Sequence, residues 1–348
     1  MEKEVTIYDL AELLKISPAT VSRGLQDHPA ISKKTKKRIF DLAEQIGYRT
    51  NRFARNLRSR QSHTLGVIVQ RLDSNFISTV IAGMEDTAAS HGYRLIICQS
   101  SEQAQKEKAN ATALLESRVD GLMASLAFDT EDLSHFDAFL QKKIPLIFFD
   151  RVMEHQGCTR VQIDNRKAAY DATRHMLEQG CRHIVHVTAP LKQNVYVERL
   201  EGYKQALAEA GLSFSQDDVL IGNLRQEDGR NAAAAVLQMD PLPDGIFFTN
   251  DNCAAACVVA LKAAGVRIPE DIAVVGFNND PVSTVVEPNL TTIDYPGYEM
   301  GTVAARNLIQ HLSGDGSIAA TNTILLHSAL VVRGSSLRKK GEEPQKKL

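Results

Sequence analysis

Residues 6–24 read TIYDLAELLKISPATVSRG, and this stretch decides the character of the N-terminal part of the chain. Ile7, Leu10, Ala11 and Leu14 recur at helical spacing, which predicts a short helix with one buried face. Lys15-Ile16 makes a tight turn. Ser17 is placed to cap a second helix, since a serine hydroxyl accepts an orphan amide hydrogen bond, and Pro18 suits a first turn where its missing N–H costs nothing. Val21 then points inward, while Ala19, Thr20, Ser22 and Arg23 point outward. Two short helices across such a turn make a helix-turn-helix in a basic context, or a plain helical hairpin inside a larger core.

The neighbouring residues favour the first alternative. Ile31-Ser32-Lys33-Lys34-Thr35 reads as the start of a third helix with Ser32 as cap, Ile39, Leu42, Ala43 and Ile46 as its buried face, and Gly47 as its stop. Lys33, Lys34, Lys36, Lys37 and Arg38 crowd its first turns. Positive charge there opposes the helix dipole, so phosphate neutralisation is the better account of it. Next comes YRTNRFARNLRSRQSH, residues 48–63. Asn51 can cap a short helix carrying Arg52, Arg55 and Arg58 on one side, with Phe53, Ala54 and Leu57 as its apolar elements. So short a helix nucleates poorly alone and is expected to order on a partner.

Charge follows the same division. Residues 1–63 hold 13 basic and 7 acidic side chains, whereas the rest of the 348-residue chain holds 27 and 35, so a net charge of −2 conceals a head of +6 and a body of −8. A small basic head on an acidic body points to nucleic acid.

From Thr64 onward, apolar strands alternate with amphipathic helices. Strand-like runs include Leu65–Val69, Leu95–Cys98, Gly121–Ser125, Pro145–Phe149, His183–Val187, Gly245–Thr249 and Ile272–Gly276, with helical patterns such as Phe76–His91 and Arg199–Ala210 between. This alternation predicts parallel sheets covered on both faces, and its length predicts two subdomains with a ligand cleft at the carboxyl ends of the strands. Four strand ends are polar: the run from Gln70 through Ser74 to Phe76, then Asp150-Arg151, Asn250-Asp251-Asn252, and Asn278-Asn279-Asp280. A single Asn or Asp after a strand is usually a cap or turn former. Four such ends with nearby aromatics converging on one cleft suit a polyol, whose hydroxyls need polar partners and whose ring face stacks on an aromatic.

TIYDLAELLKISPATVSRGL, then ISKKTKKRI, then GYRTNRFARNL, in that fixed order, resembles the lactose-repressor/galactose-repressor (LacI/GalR) family of bacterial transcription factors, and the resemblance runs through the body to about residue 335. It implies an α/β fold: a periplasmic-binding-protein-like pair of parallel-sheet subdomains, preceded by an all-α helix-turn-helix domain and a hinge helix. The implied second helix lies in the major groove, with Pro18 and Ala19 choosing bases, Ser22 and Arg23 at shared contacts, and Thr6, Ser17 and Thr20 completing the head's DNA face. Hinge helices of two subunits are implied to enter the minor groove through Asn51, Arg52, Ala54 and Arg55, with Leu57 wedged into a base step. Thr50 departs from the family, which often has Pro before the hinge Asn.

In the body, ERLEGYKQAL resembles the segment whose Arg grips effector hydroxyls, which nominates Arg199. Asn250-Asp251 matches an Asn-Asp pair, with Asn250 expected as ligand contact and Asp251 as cap. Asp150 sits at a matching strand end, Ser74 in the polar run after the first strand is expected as a further effector contact, Phe76 matches an aromatic, and Leu224 occupies a position that is often aromatic. Asn278 stands where an acid is common, and Tyr295 stands near a frequent Gln.

The expected organisation is a headpiece over 1–50, a hinge helix and linker over 51–63, and an effector-binding and dimerisation domain over 64–335. Within it the N-subdomain takes about 64–163 and 295–322, and the C-subdomain about 164–293 and 323–335. A charged, disordered tail is expected over 336–348; without heptad leucines it favours a homodimer over a tetramer. No dinucleotide, P-loop or nucleophile-elbow motif occurs, and the pairs Cys253/Cys257 and His183/His186 sit in apolar surroundings that suit packing better than metal. No enzyme activity, cofactor, metal or membrane span is therefore expected, and Met1–Val5 lacks a secretory signal, which suggests a cytoplasmic protein. The function expected is a sequence-specific repressor of a palindromic operator, relieved by a sugar or sugar derivative. A solute-binding protein acting without DNA would need only residues 64–330 and leaves the basic head unexplained.

Overall fold

The computed structural model describes residues 5–25, 27–48, 61–316, 318 and 322–338. The chain divides into two compact units, Met1–Ser62 and His63–Leu348. Asn51, Arg52, Ala54, Arg55 and Leu57 of the expected hinge lie outside the described residues, as does 339–348.

The first unit is three helices: α1 (Ile7–Leu14), α2 (Pro18–Leu25) and α3 (Lys33–Gln45). Thr6 and Asp9 close a capping box on α1, and Lys15 ends that helix in the left-handed conformation at φ 54°. Ser17 Oγ accepts from the Thr20 amide at 3.1 Å and Ser32 Oγ from the Thr35 amide at 3.2 Å, so both serines start helices as their positions suggest. Leu10, Ala11, Leu14, Val21, Ile39 and Ala43 form the core, with Ile16, Leu42, Ile46 and Tyr48 packed around it.

The second unit contains two parallel sheets. In chain order its first elements are β1 (Thr64–Val69), α4 (Asn75–Ser90), β2 (Arg94–Gln99), α5 (Ala104–Glu116), β3 (Gly121–Ala124), α6 (Asp137–Gln141), β4 (Leu146–Phe149) and β5 (Thr159–Ile163). The chain then passes to α7 (Asn165–Glu178), β6 (Ile184–Thr188), α8 (Asn194–Glu209), β7 (Val219–Ile221), α9 (Gln226–Val236), β8 (Gly245–Phe248), α10 (Asp251–Ala263) and β9 (Ala273–Val275). It returns through β10 (Thr292–Asp294), α11 (Gly297–Ser313), β11 (Thr323–Leu326) and β12 (Ala329–Val331). The larger sheet has the order β11-β5-β4-β3-β1-β2 and the smaller β7-β6-β8-β9, while β10 and β12 pair antiparallel. Helices cover both faces, and strands such as β3, β4, β6 and β8 are buried along their whole length, as parallel sheets require.

Two expected boundaries are corrected. β11 pairs with β5, Thr323 opposite Arg160, so residues 323–326 belong to the first sheet and the third crossing falls between β11 and β12, not at 323. The tail does not begin at 336: Ser336 is buried, with its Oγ 2.7 Å from His175 Nε2, and the Arg338 guanidinium donates to the carbonyls of Pro269 and Asp244. β11, Thr-Ile-Leu-Leu, is too short to show which sheet it joins, and the charges of the tail hid a buried serine.

Packing between helices is set at particular contacts. α4 and α11 approach so closely that a Cβ at Gly83 would overlap Tyr298 O, and one at Gly301 would overlap Val80 O. His186 lies between the rings of Tyr203 and Phe247, with centroids 5.1 and 4.9 Å away, and its burial pushes its pKa down to about 3.

Candidate DNA-reading helix and effector cleft

The inner face of α2 is spent on the core through Val21 and Gly24. Ser17, Pro18, Ala19 and Arg23 are exposed, and Thr20 and Ser22 are half-buried. Thr6 is exposed too, but its hydroxyl is committed to Asp9 Oδ2 at 2.6 Å. Around them, Lys33, Lys34, Lys37 and Arg38 of α3 are exposed. Lys36 departs from the group: its Nζ donates to Asp27 O at 2.9 Å and pairs with the Asp27 carboxylate at 2.6 Å, so it holds a loop at positive φ instead of standing free for phosphate.

In the second unit the carboxyl ends of strands from both sheets surround one cavity of about 450 Å3. All eight residues nominated from the sequence line it: Ser74, Phe76, Asp150, Arg199, Leu224, Asn250, Asn278 and Tyr295. They reach it by different routes. Ser74 caps α4, accepting from the Ile77 amide at 3.4 Å, which brings Phe76 to the wall. Tyr295 follows β10 at a crossing and stacks on Phe76 with centroids 4.2 Å apart and planes at 22°. Its hydroxyl donates to Asp150 Oδ1 at 2.8 Å, and burial together with that carboxylate pushes the phenol pKa well up. Asp150 itself takes φ 58°, which turns the residue after β4 into the cavity. Leu224 and Asn278 also have positive φ, 56° and 113°, a backbone region that is costly for a side-chain-bearing residue and tends to occur at functional sites.

Arg199, on α8, is 3% exposed. Its Nε donates to Asn165 Oδ1 at 3.0 Å and one Nη to Thr249 O at 3.3 Å, while the guanidinium lies 3.6 Å over the Phe277 ring. None of these partners is a carboxylate, and burial lowers its pKa. The planar guanidinium is thereby fixed, with donor capacity remaining toward the cavity.

Of the Asn250-Asp251 expectation, only the cap is overturned: it is Asn250, not Asp251, that caps the helix. Asn250 caps α10, its Oδ1 accepting from the Cys253 amide at 3.0 Å, although it still lines the cavity. Asp251 is buried behind it, accepting from the Asp280 amide at 2.8 Å and the Thr292 hydroxyl at 2.7 Å. Burial raises its carboxyl pKa to about 8, helped by the charge of Asp280, whose own value burial raises to about 6.

Several lining residues were not nominated. Arg151 donates to Glu102 at 2.7 Å and to the Tyr196 hydroxyl at 2.9 Å, lies 4.3 Å over the Phe128 ring, and so links strand ends of one sheet to α8 of the other. Tyr196 stands three residues before Arg199, one helical turn along the same face, so spacing alone could have found it. Phe128 follows β3, a strand end with no polar cluster to mark it. Arg71 pairs with Asp73 at 2.6 Å near the cleft opening. The lining holds four arginines (71, 151, 199, 225) and four carboxylates (73, 102, 150, 227), a balance that suits an uncharged polar ligand.

Comparison with known proteins agrees with this division. Residues 6–51 match the family described as bacterial regulatory proteins, lacI family, and residues 62–327 match periplasmic binding proteins and sugar binding domain of LacI family. Catabolite control protein A of Priestia megaterium is 30% identical over 310 residues, covering 89% of this chain and 93% of that protein. The HTH-type transcriptional repressor CytR of Escherichia coli K12 is 30% identical over 338 residues, covering 96% and 97%. The lac repressor dimer bound to operator and an anti-inducer superposes with a TM-score of 0.85 over 97% of this chain and 100% of that one, at 24% identity. Among the described residues, no helix is long and apolar enough to cross a membrane.

Proposed function

The chain belongs to the LacI family, a DNA-binding transcriptional repressor with a periplasmic-binding-like effector domain, and from that premise we propose that its effector is an uncharged polyol, a sugar or sugar derivative, held in the cleft between the two sheets. The observation that carries this reading is the cavity wall itself. One buried arginine without a carboxylate partner, asparagines from two strand ends and a stacked aromatic pair face one space of about 450 Å3 whose formal charges cancel. Hydroxyls of a sugar satisfy such fixed donors and acceptors, and an apolar ring face satisfies Phe76 or Tyr295.

The partner of the head is a palindromic operator bound by a homodimer, in the cytoplasm. A second copy is supported by β2, an edge strand of the larger sheet that bares Ile96 and Ile97, each 38% exposed. The effector relieves repression by binding the DNA-competent and DNA-incompetent states unequally; with equal affinities it would shift nothing.

A thermal-shift panel of neutral sugars, sugar acids, nucleosides and nucleobases tests the ligand class. At least one neutral sugar should raise the melting temperature and lower operator affinity. Arg199→Lys should lose both responses while binding operator within about twofold of the parent, because lysine keeps the charge but not the planar donor set. A shift produced by sugar acids or nucleobases alone would refute the neutral-polyol reading, and an unchanged response in Arg199→Lys would remove Arg199 from the site.

A further inference from the structure

The outward face of α2 carries unusually little that can hydrogen-bond a base. Ser17 Oγ accepts from the Thr20 amide at 3.1 Å and shares a further hydrogen bond of 2.9 Å with Thr20 Oγ1, so one of the two hydroxyl protons is spent within the helix start that the pair fixes. Pro18 and Ala19, the two residues that follow the cap, are both exposed and have no polar side-chain atom. Only Ser22, half-buried, and Arg23, exposed, bring side-chain polar groups further along the helix. The core holds the opposite face through Val21, which fixes the rotation of α2 and hence the residues it presents.

Each base pair shows the major groove a distinct edge: guanine shows acceptors, cytosine a donor, adenine one of each, and thymine an acceptor beside a 5-methyl group. Pressed against Pro18 or Ala19, a purely polar edge would lose water and gain no hydrogen bond, which penalises it. A methyl group loses nothing and buries apolar surface. We propose that Pro18 and Ala19 read thymine, by packing on the 5-methyl groups of thymines in each operator half-site, and that specificity at those positions is apolar, leaving Arg23 and the α3 cations to hold the backbone. This rests on α2 being the helix that meets base edges.

The test separates the two layers. Duplexes are selected from a random library by the full-length protein, and each thymine of the enriched half-site is replaced in turn by deoxyuridine, which pairs identically and lacks only the methyl. One or two thymines per half-site should each lose about fourfold in affinity on replacement, the scale of one buried methyl. Ala19→Gln, an exposed change to a good helix former, should move the preference at one of those positions from thymine to adenine, whose N6 and N7 a glutamine can bond together. Failure to enrich any sequence would overturn the base-reading role of α2 along with the proposal. Enrichment with every deoxyuridine duplex bound as tightly as its parent would overturn the methyl readout alone. A selected motif unchanged in Ala19→Gln would remove Ala19 from the base edges.

Discussion

Asp251 shows how a single side chain can be named correctly from sequence and yet be given the wrong task. The pair Asn250-Asp251 after β8 invites an assignment of one contact and one cap, and both residues are chemically able to cap. The structure gives the cap to Asn250 because Asp251 is drawn inward by the Asp280 amide and the Thr292 hydroxyl, groups 29 and 41 residues away in sequence. No local pattern carries that information. The consequence is titratable. With a folded pKa of about 8, raised by burial from an ordinary value of 3.8, Asp251 holds a proton in the native state that the unfolded chain releases. Stability therefore falls as pH rises from about 4 to 8, by at most about 1.4 kcal/mol per pH unit. Asp280, raised to about 6, acts in the same direction over a narrower window. Asp251→Asn, neutral at every pH, should flatten this slope: between pH 5 and pH 8 its melting temperature should fall less than that of the parent, by on the order of 5 °C. Parallel melting curves for the two proteins would show that Asp251 is not protonated in the native state.

At the level of elements, wholly apolar strands were the easiest to read and short mixed ones the hardest. β4 and β8 announce themselves because strands buried on both faces are apolar throughout, and β1 and β6 depart from that only at Thr64, His186 and Thr188. β5, TRVQI, alternates buried and half-exposed residues, and β7, β10 and β12 are three residues long, too short for any periodicity. The start of α8 was missed for a different reason. Gln193 occupies its N-cap position without capping, because the amide donates instead to the carbonyls of Ala127 and Thr130, at 2.8 and 3.1 Å. A residue spent on tertiary contact cannot mark a helix boundary, and with that boundary went Tyr196 of the site. Contact between α4 and α11 was equally invisible, since it depends on Gly83 and Gly301 lying opposite a facing backbone. Gly83→Val should force the two helices apart, destabilising the effector domain by about 1–3 kcal/mol and lowering its melting temperature by several degrees. Unaltered thermal unfolding would mean that the helices separate without cost.

Across the whole molecule, the division of charge corresponds to the division into units. The basic excess lies before residue 63, and the two compact units meet at the boundary between Ser62 and His63. Phosphate contacts release counterions, so affinity for operator should fall steeply with salt, by a slope of roughly 0.9 per neutralised phosphate on logarithmic axes. A neutral ligand in the cleft releases none, and its affinity should be nearly flat over the same range. The core clusters of the second unit, one of which draws on residues from Leu65 to Ile318, share no residue with the head's own cluster around Val21 and Ile39. Residues 63–348 produced alone should therefore fold, keep whatever effector-induced thermal shift the full chain shows within about twofold in affinity, and lose operator binding at every salt concentration. Lys33, Lys34, Lys37 and Arg38 should account for much of the salt slope of the intact protein, and replacing two of them with Gln should reduce that slope by about 2 without changing the selected sequence. Operator binding retained by 63–348, or a slope indifferent to those replacements, would place the DNA contacts outside the basic head.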